Sequence, residues 1–113
     1  MGKEQQVGRP IRKSEYTIVA ASAGAQKGWR DLVATQRNLM VEVWEFLTTR
    51  PLHHTSTNYP LKGELATVTR NGVEHARWQH KPSRGGSARI WFYVDGQKVY
   101  LERVSTNHPK ETG

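Results

Sequence analysis

The chain has 113 residues, room for one ordinary domain, and its 17 Lys and Arg against 10 Asp and Glu leave a formal net charge of +7. That balance favours a polyanion such as RNA, DNA or an anionic surface, and equally an acidic protein partner. The absence of cysteine excludes disulfide scaffolds, thiolate catalysis and cysteine-ligated zinc; apolar runs are only strand-sized, so the chain reads as soluble and cytoplasmic, with no membrane partner.

Residues 1–15 are polar and interrupted by Gly8 and Pro10, and they read as a flexible basic arm ahead of a single domain over 16–113. Tyr16-Thr17-Ile18-Val19-Ala20 is rich in β-branched and aromatic residues and reads as a strand. Ser22 is placed to cap a helical region. Within it Trp29, Leu32, Val33, Met40, Val43, Trp44 and Leu47 recur with helical spacing as one apolar face, and Arg30, Asp31, Arg37, Glu42 and Glu45 fill the polar remainder. The region must end before Pro51. One helix or two in a hairpin both fit, because Thr35 and Asn38 allow a break. Residues 53–60 read as a polar connection, followed by strands at 64–70, 74–80, 88–94 and 98–104. Asn71-Gly72 and Asp95-Gly96 are turn signals, the second joining adjacent antiparallel strands, and 83–87 is a flexible loop. The expected fold is α+β, with the N-terminal strand and helical region packed on one face of a mainly antiparallel β-sheet.

The segment Ala88-Arg89-Ile90-Trp91-Phe92-Tyr93-Val94 carries the most chemistry. Strand alternation sets Ala88, Ile90, Phe92 and Val94 on a core face and Arg89, Trp91 and Tyr93 on the other. A cation beside two large rings suits phosphate contact and base stacking; the competing reading is a second small core with Arg89 at its rim. In the preceding strand candidate His75, Arg77 and Gln79 share one face, and Trp78 and His80 the other. If Arg77 faces the same hollow as Arg89, two guanidiniums can hold the phosphates about a scissile bond and stabilise transition-state charge; otherwise both are ordinary surface arginines. Lys62 can extend the positive field. His108 follows the last strand, stiffened by Pro109, and supplies a proton-transfer group near neutral pH, or is simply a tail residue. Tyr93 can donate a hydrogen bond or, with a lowered pKa, move a proton. Cleavage of RNA needs activation of the 2′-hydroxyl and protonation of the leaving 5′-oxygen, which such an array performs without a metal or cofactor.

Other signals are weak. His53-His54 lacks a spaced ligand set, Ser83-Arg84-Gly85-Gly86 is not a P-loop, and Glu64, Glu74 and Glu102 match no glycosidase or two-metal spacing.

Taken in order, Trp29-Arg30-Asp31-Leu32, Leu61-Lys62-Gly63-Glu64-Leu65, the Arg89 strand through Asp95-Gly96, and Val99-Tyr100-Leu101-Glu102-Arg103-Val104 resemble the RelE/ParE superfamily of type II toxin–antitoxin toxins over residues 16–112. The resemblance implies a compact RelE-like, microbial ribonuclease-type fold and, in the ribosome-dependent messenger RNA interferase branch, an endoribonuclease that cuts messenger RNA in the 30S A site. A cognate antitoxin is the implied protein partner. By the same resemblance Arg89 corresponds to a phosphate-binding arginine, Arg77 more loosely to a second one, Lys62 to a basic residue at the entrance to the sheet, and Tyr93 and His108 to late positioning or proton-transfer residues. The sequence departs from the compact pattern in a longer stretch over 75–87 and in having no helix after His108. Two other readings stay open: a gyrase inhibitor of the ParE branch, and a noncatalytic RNA-binding module.

Overall fold

The computed structural model describes residues 4–8, 10, 12 and 15–107. His108 and part of the 1–15 arm lie outside the described residues. The first strand, β1 (Thr17–Ala20), leads into two helices, α1 (Ala23–Thr35) and α2 (Arg37–Thr49). The Ser22 hydroxyl accepts the Ala25 amide N–H at 3.0 Å, which satisfies one of the donors a helix start leaves unpaired. Gln36 leaves helical geometry with φ −141°, so the helical region is a pair of helices with its break between the two residues expected to allow one.

The strands β2 (Asn58–Pro60), β5 (Trp78–His80), β6 (Arg89–Asp95) and β7 (Lys98–Ser105) complete a five-stranded sheet in the order β1-β7-β6-β5-β2. β1 runs parallel to β7, and the other pairs are antiparallel. A separate hairpin pairs β3 (Thr67–Arg70) with β4 (Val73–Ala76). Asn71 and Gly72 both take positive φ at its tip, as a two-residue hairpin turn of matching twist requires.

Both helices lay their apolar stripes on one face of the sheet. Leu32, Met40, Val43 and Leu47 meet Ile90 and Phe92 of β6 and Val99, Leu101 and Val104 of β7 in one continuous core. Complete burial of a side chain such as Phe92 or Leu47 contributes about 2 kcal/mol to folding. The close approach of α1 depends on Gly28, where a Cβ would lie 2.1 Å from the Val104 carbonyl oxygen.

Four expectations are corrected. Residues 63–65 form a 3-10 turn, so the strand expected at 64–70 starts at Thr67. The strand expected at 74–80 is broken at Arg77: β4 pairs within the hairpin, and β5 joins the main sheet. The polar connection 53–60 contains β2, whose Asn58 is completely buried. Trp44 stands 45% exposed and leaves the buried stripe, though its ring meets Trp29 edge-on at 6.3 Å.

Candidate active site

The face of the sheet opposite the helices gathers most of the residues singled out above. Regular alternation along β6 turns Arg89, Trp91 and Tyr93 to this face while Ile90 and Phe92 fill the core. Its neighbour β7 is irregular. Trp91 pairs with Arg103 and Phe92 with Leu101, so Glu102 is an extra residue, a β-bulge. Leu101 and Val104 point into the core, and the two residues between them both reach the opposite face.

Glu102 is the centre of the cluster. Its Oε1 accepts the Arg77 Nε–H at 2.9 Å, and its Oε2 accepts from Arg77 Nη2 and from Arg70 Nη2, each at 3.3 Å. Arg77 Nη1 donates to the Leu65 carbonyl at 3.4 Å. The Arg77 backbone also accepts from the Leu61 N–H and donates to the Ala66 carbonyl, so residues 61–66 lie along it. Lys62, exposed at the start of the 3-10 turn, is thereby held beside this edge of the sheet.

Trp91 has two guanidiniums against its ring, Arg77 at 5.6 Å and Arg103 at 5.1 Å from the centroid. Its indole N–H donates to Gln79 Oε1 at 2.9 Å, and Gln79 Nε2 donates to the Tyr59 hydroxyl at 2.9 Å. At 7% exposure the ring is part of a small second core, not an open stacking platform. Tyr93 lies in a row of rings, stacked with His75 at 4.8 Å and Tyr100 at 5.0 Å. Burial pushes its hydroxyl pKa up, against a lowering contribution from Arg70, and Tyr100, Glu102 and Asp95 push it further up. Tyr93 therefore keeps its proton at neutral pH and is a donor.

Arg89, also 7% exposed, turns back on the preceding loop. Its Nη1 donates to the Gly86 carbonyl at 2.9 Å and to its neighbour Ala88 at 2.8 Å, and its Nε is buried with no partner among the described residues. Arg77 and Arg89 share the face but are held separately, one by a carboxylate and one by carbonyls. The expected grouping of His75, Arg77 and Gln79 on one face holds in spite of the strand break.

Glu102, Arg103, Arg70, Tyr100 and Tyr59 are participants that sequence reasoning missed as site residues. Among the described residues no group of three or more His, Asp or Glu is placed to hold a metal ion. A separate concavity of about 760 Å³ lies on the helix side, lined by Trp44, Phe46, Arg50, His80 and Lys81 among others. It shares no residue with the cluster. Beside it His80, from the same strand as Gln79, bonds through Nδ1 to Asn58 Oδ1 at 3.1 Å.

No protein-family model and no curated protein matches the sequence. Solved structures do match. A YoeB/ParE toxin from Agrobacterium tumefaciens superposes with a TM-score of 0.58 at 14% identity, covering 82% of this chain and 99% of that one. A copper-bound mutant toxin from Helicobacter pylori gives 0.56 at 13% identity, covering 80% and 92%. A YoeB–YefM complex from Staphylococcus aureus gives 0.56 at 12%, covering 80% and 94%. At such low identity the likeness speaks for architecture alone, and in architecture the chain shares the fold of these three toxin structures.

Proposed function

We propose that the chain is the toxin of a type II toxin–antitoxin system, an endoribonuclease that cuts messenger RNA in the ribosomal A site and so inhibits translation. One observation carries the reading: on a fold shared with toxins, Arg70, Arg77 and Arg103 gather about Glu102 and Trp91, with Arg89 held separately on the same face. A face with that concentration of guanidiniums suits a backbone rich in phosphates.

The chemistry is transesterification. The 2′-oxygen of one nucleotide attacks the adjacent phosphorus, the bond to the 5′-oxygen of the next nucleotide breaks, and the products are a 2′,3′-cyclic phosphate and a 5′-hydroxyl. Arg89 and Arg77 neutralise charge building on the phosphate oxygens, and Lys62 extends the field toward the incoming strand. Tyr93, which holds its proton, donates to a phosphate oxygen or to the departing 5′-oxygen. The proton of the 2′-hydroxyl goes to an imidazole, that of His75 stacked on Tyr93 or that of His108 after the last strand. Trp91 supports the guanidiniums from beneath and contacts RNA at its edge. The excess of basic residues also suits an acidic antitoxin, a partnership for which the Staphylococcus aureus YoeB–YefM complex is the structural parallel.

The test incubates purified protein with programmed ribosomes and maps messenger ends, comparing the wild type with Arg89→Ala. New ends within the A-site codon for the wild type and their loss in the variant are expected. No new ends from folded protein, together with inhibited DNA supercoiling by gyrase, would replace this reading with that of a gyrase inhibitor.

A further inference from the structure

The Glu102 carboxylate sits where an incoming phosphate would be held best. An arginine recognises carboxylate and phosphate through the same planar edge, two parallel N–H groups meeting two oxygens. In this protein the Nε/Nη2 edge of Arg77 is fully taken by Glu102, and the remaining Nη1 is taken by the Leu65 carbonyl. Arg70 closes on the same carboxylate from the hairpin side. A regular strand would turn either Glu102 or Arg103 toward the core; the bulge brings both to one face, a carboxylate with cations about it. The Glu102 side chain is only 9% exposed, whereas that of Arg70 is 48% exposed and offers an approach from solvent.

We propose that Glu102 is a positioning residue, an internal counter-ion that holds Arg77 and Arg70 in the geometry of a phosphate site and is displaced by an RNA phosphate when substrate binds. The arginines are thus preorganised without leaving the largely buried Arg77 cation uncompensated in the free protein. An arriving phosphodiester meets the exposed edge of Arg70, then takes over the Arg77 edge as the carboxylate withdraws toward solvent. Exchange also loosens the clamp between the β3–β4 hairpin and the main sheet, because Glu102 joins them through Arg70 beside the His75–Tyr93 stack. The cost of displacing the carboxylate weakens binding to stray polyanions, so that affinity is reserved for RNA presented in a fixed pose. This role rests on the RNA-cleaving reading and names the subsite for one of its phosphates.

The test measures binding of a short single-stranded RNA, 2′-O-methylated so that it cannot be cut, by fluorescence anisotropy at low and moderate salt. Wild type is compared with Glu102→Gln, with Glu102→Asp, and with Glu74→Gln, which removes the same charge from an exposed position on the hairpin. A thermal melt confirms that each variant is folded. Displacement predicts that Glu102→Gln binds about tenfold more tightly than wild type, while Glu74→Gln gains about twofold or less. Glu102→Asp, too short to bridge both arginines, falls between them and serves as the reporter if Glu102→Gln does not fold. A merely structural carboxylate predicts the opposite sign, since its loss would loosen the arginines and weaken binding. Equal affinity for Glu102→Gln and Glu74→Gln, or weaker binding by Glu102→Gln, overturns the exchange and leaves the RNA reading standing. Failure of every form to bind RNA overturns the exchange, while the RNA-cleaving reading stands or falls on the messenger ends formed on programmed ribosomes.

Discussion

His80 makes the fold sensitive to acid in a way that can be calculated. Asn58 fixes its tautomer: the Asn58 amide donates to the Pro51 and His53 carbonyls, both at 2.9 Å, so its oxygen is an acceptor and His80 Nδ1 must carry the proton. Burial against Phe46, whose ring lies 5.1 Å away, lowers the His80 pKa from 6.5 to about 4. The folded protein therefore keeps the ring neutral in a range where the unfolded chain takes up a proton. Stability is complete above the unfolded value and is lost as pH falls from 6.5 toward 4. Between about pH 7 and about pH 4.5 this linkage removes about 2 kcal/mol. Urea unfolding at the two pH values, for wild type and for His80→Gln, isolates the effect because every other ionisable group is common to both. The wild type should lose about 2 kcal/mol more than the variant on acidification. Equal losses would refute the assignment of His80 as a neutral buried group. The consequence reaches the candidate site, for β2 and β5 place Asn58 opposite His80 on the helix side and Tyr59 opposite Gln79 beneath Trp91.

Gly28→Ala should destabilise the fold by about 2 kcal/mol, because its Cβ meets backbone rather than a side chain that can turn away; an unchanged urea midpoint would show that α1 can retreat from β7 freely. Tyr93→Phe should reduce messenger cleavage by about tenfold or more while leaving the pH dependence near neutrality unaltered, since the Tyr93 hydroxyl stays protonated there. A neutral-pH ionisation that vanishes in Tyr93→Phe would make Tyr93 the base instead.

The parts of the fold that the sequence announces are those governed by local rules. Ser22 caps a helix, Asn71-Gly72 and Asp95-Gly96 close hairpins, and the alternation through Arg89-Ile90-Trp91-Phe92-Tyr93 divides core from site. What stays hidden depends on pairing with distant chain. β2 is three residues long and ends in a proline; its inward Asn58 looks like a loop residue until His80 and two carbonyls receive it. Arg77 breaks its strand because its backbone bonds to Leu61 and Ala66 and not to a neighbouring strand. The bulge did leave a trace, the Val99-x-Leu101-x-x-Val104 spacing, where an apolar period of two lengthens to three. That single extra residue sets Glu102 beside Arg103 and so builds the part of the site that residue-by-residue reading passed over. The solvent-facing role expected of Trp91 also depended on what would cover it, and Arg77 and Arg103 arrive from other strands or loops.

The reaction proposed for this protein is cleavage by the messenger's own 2′-hydroxyl in the A site. The most direct measurement programmes ribosomes with two messengers that differ only in one 2′-deoxynucleotide at the cut position, and analyses the ends formed by the wild-type protein. Attack by the 2′-hydroxyl gives a 2′,3′-cyclic phosphate from the all-ribose messenger and no cut at the substituted position. Cleavage of both messengers, or of neither by a folded protein, would contradict it.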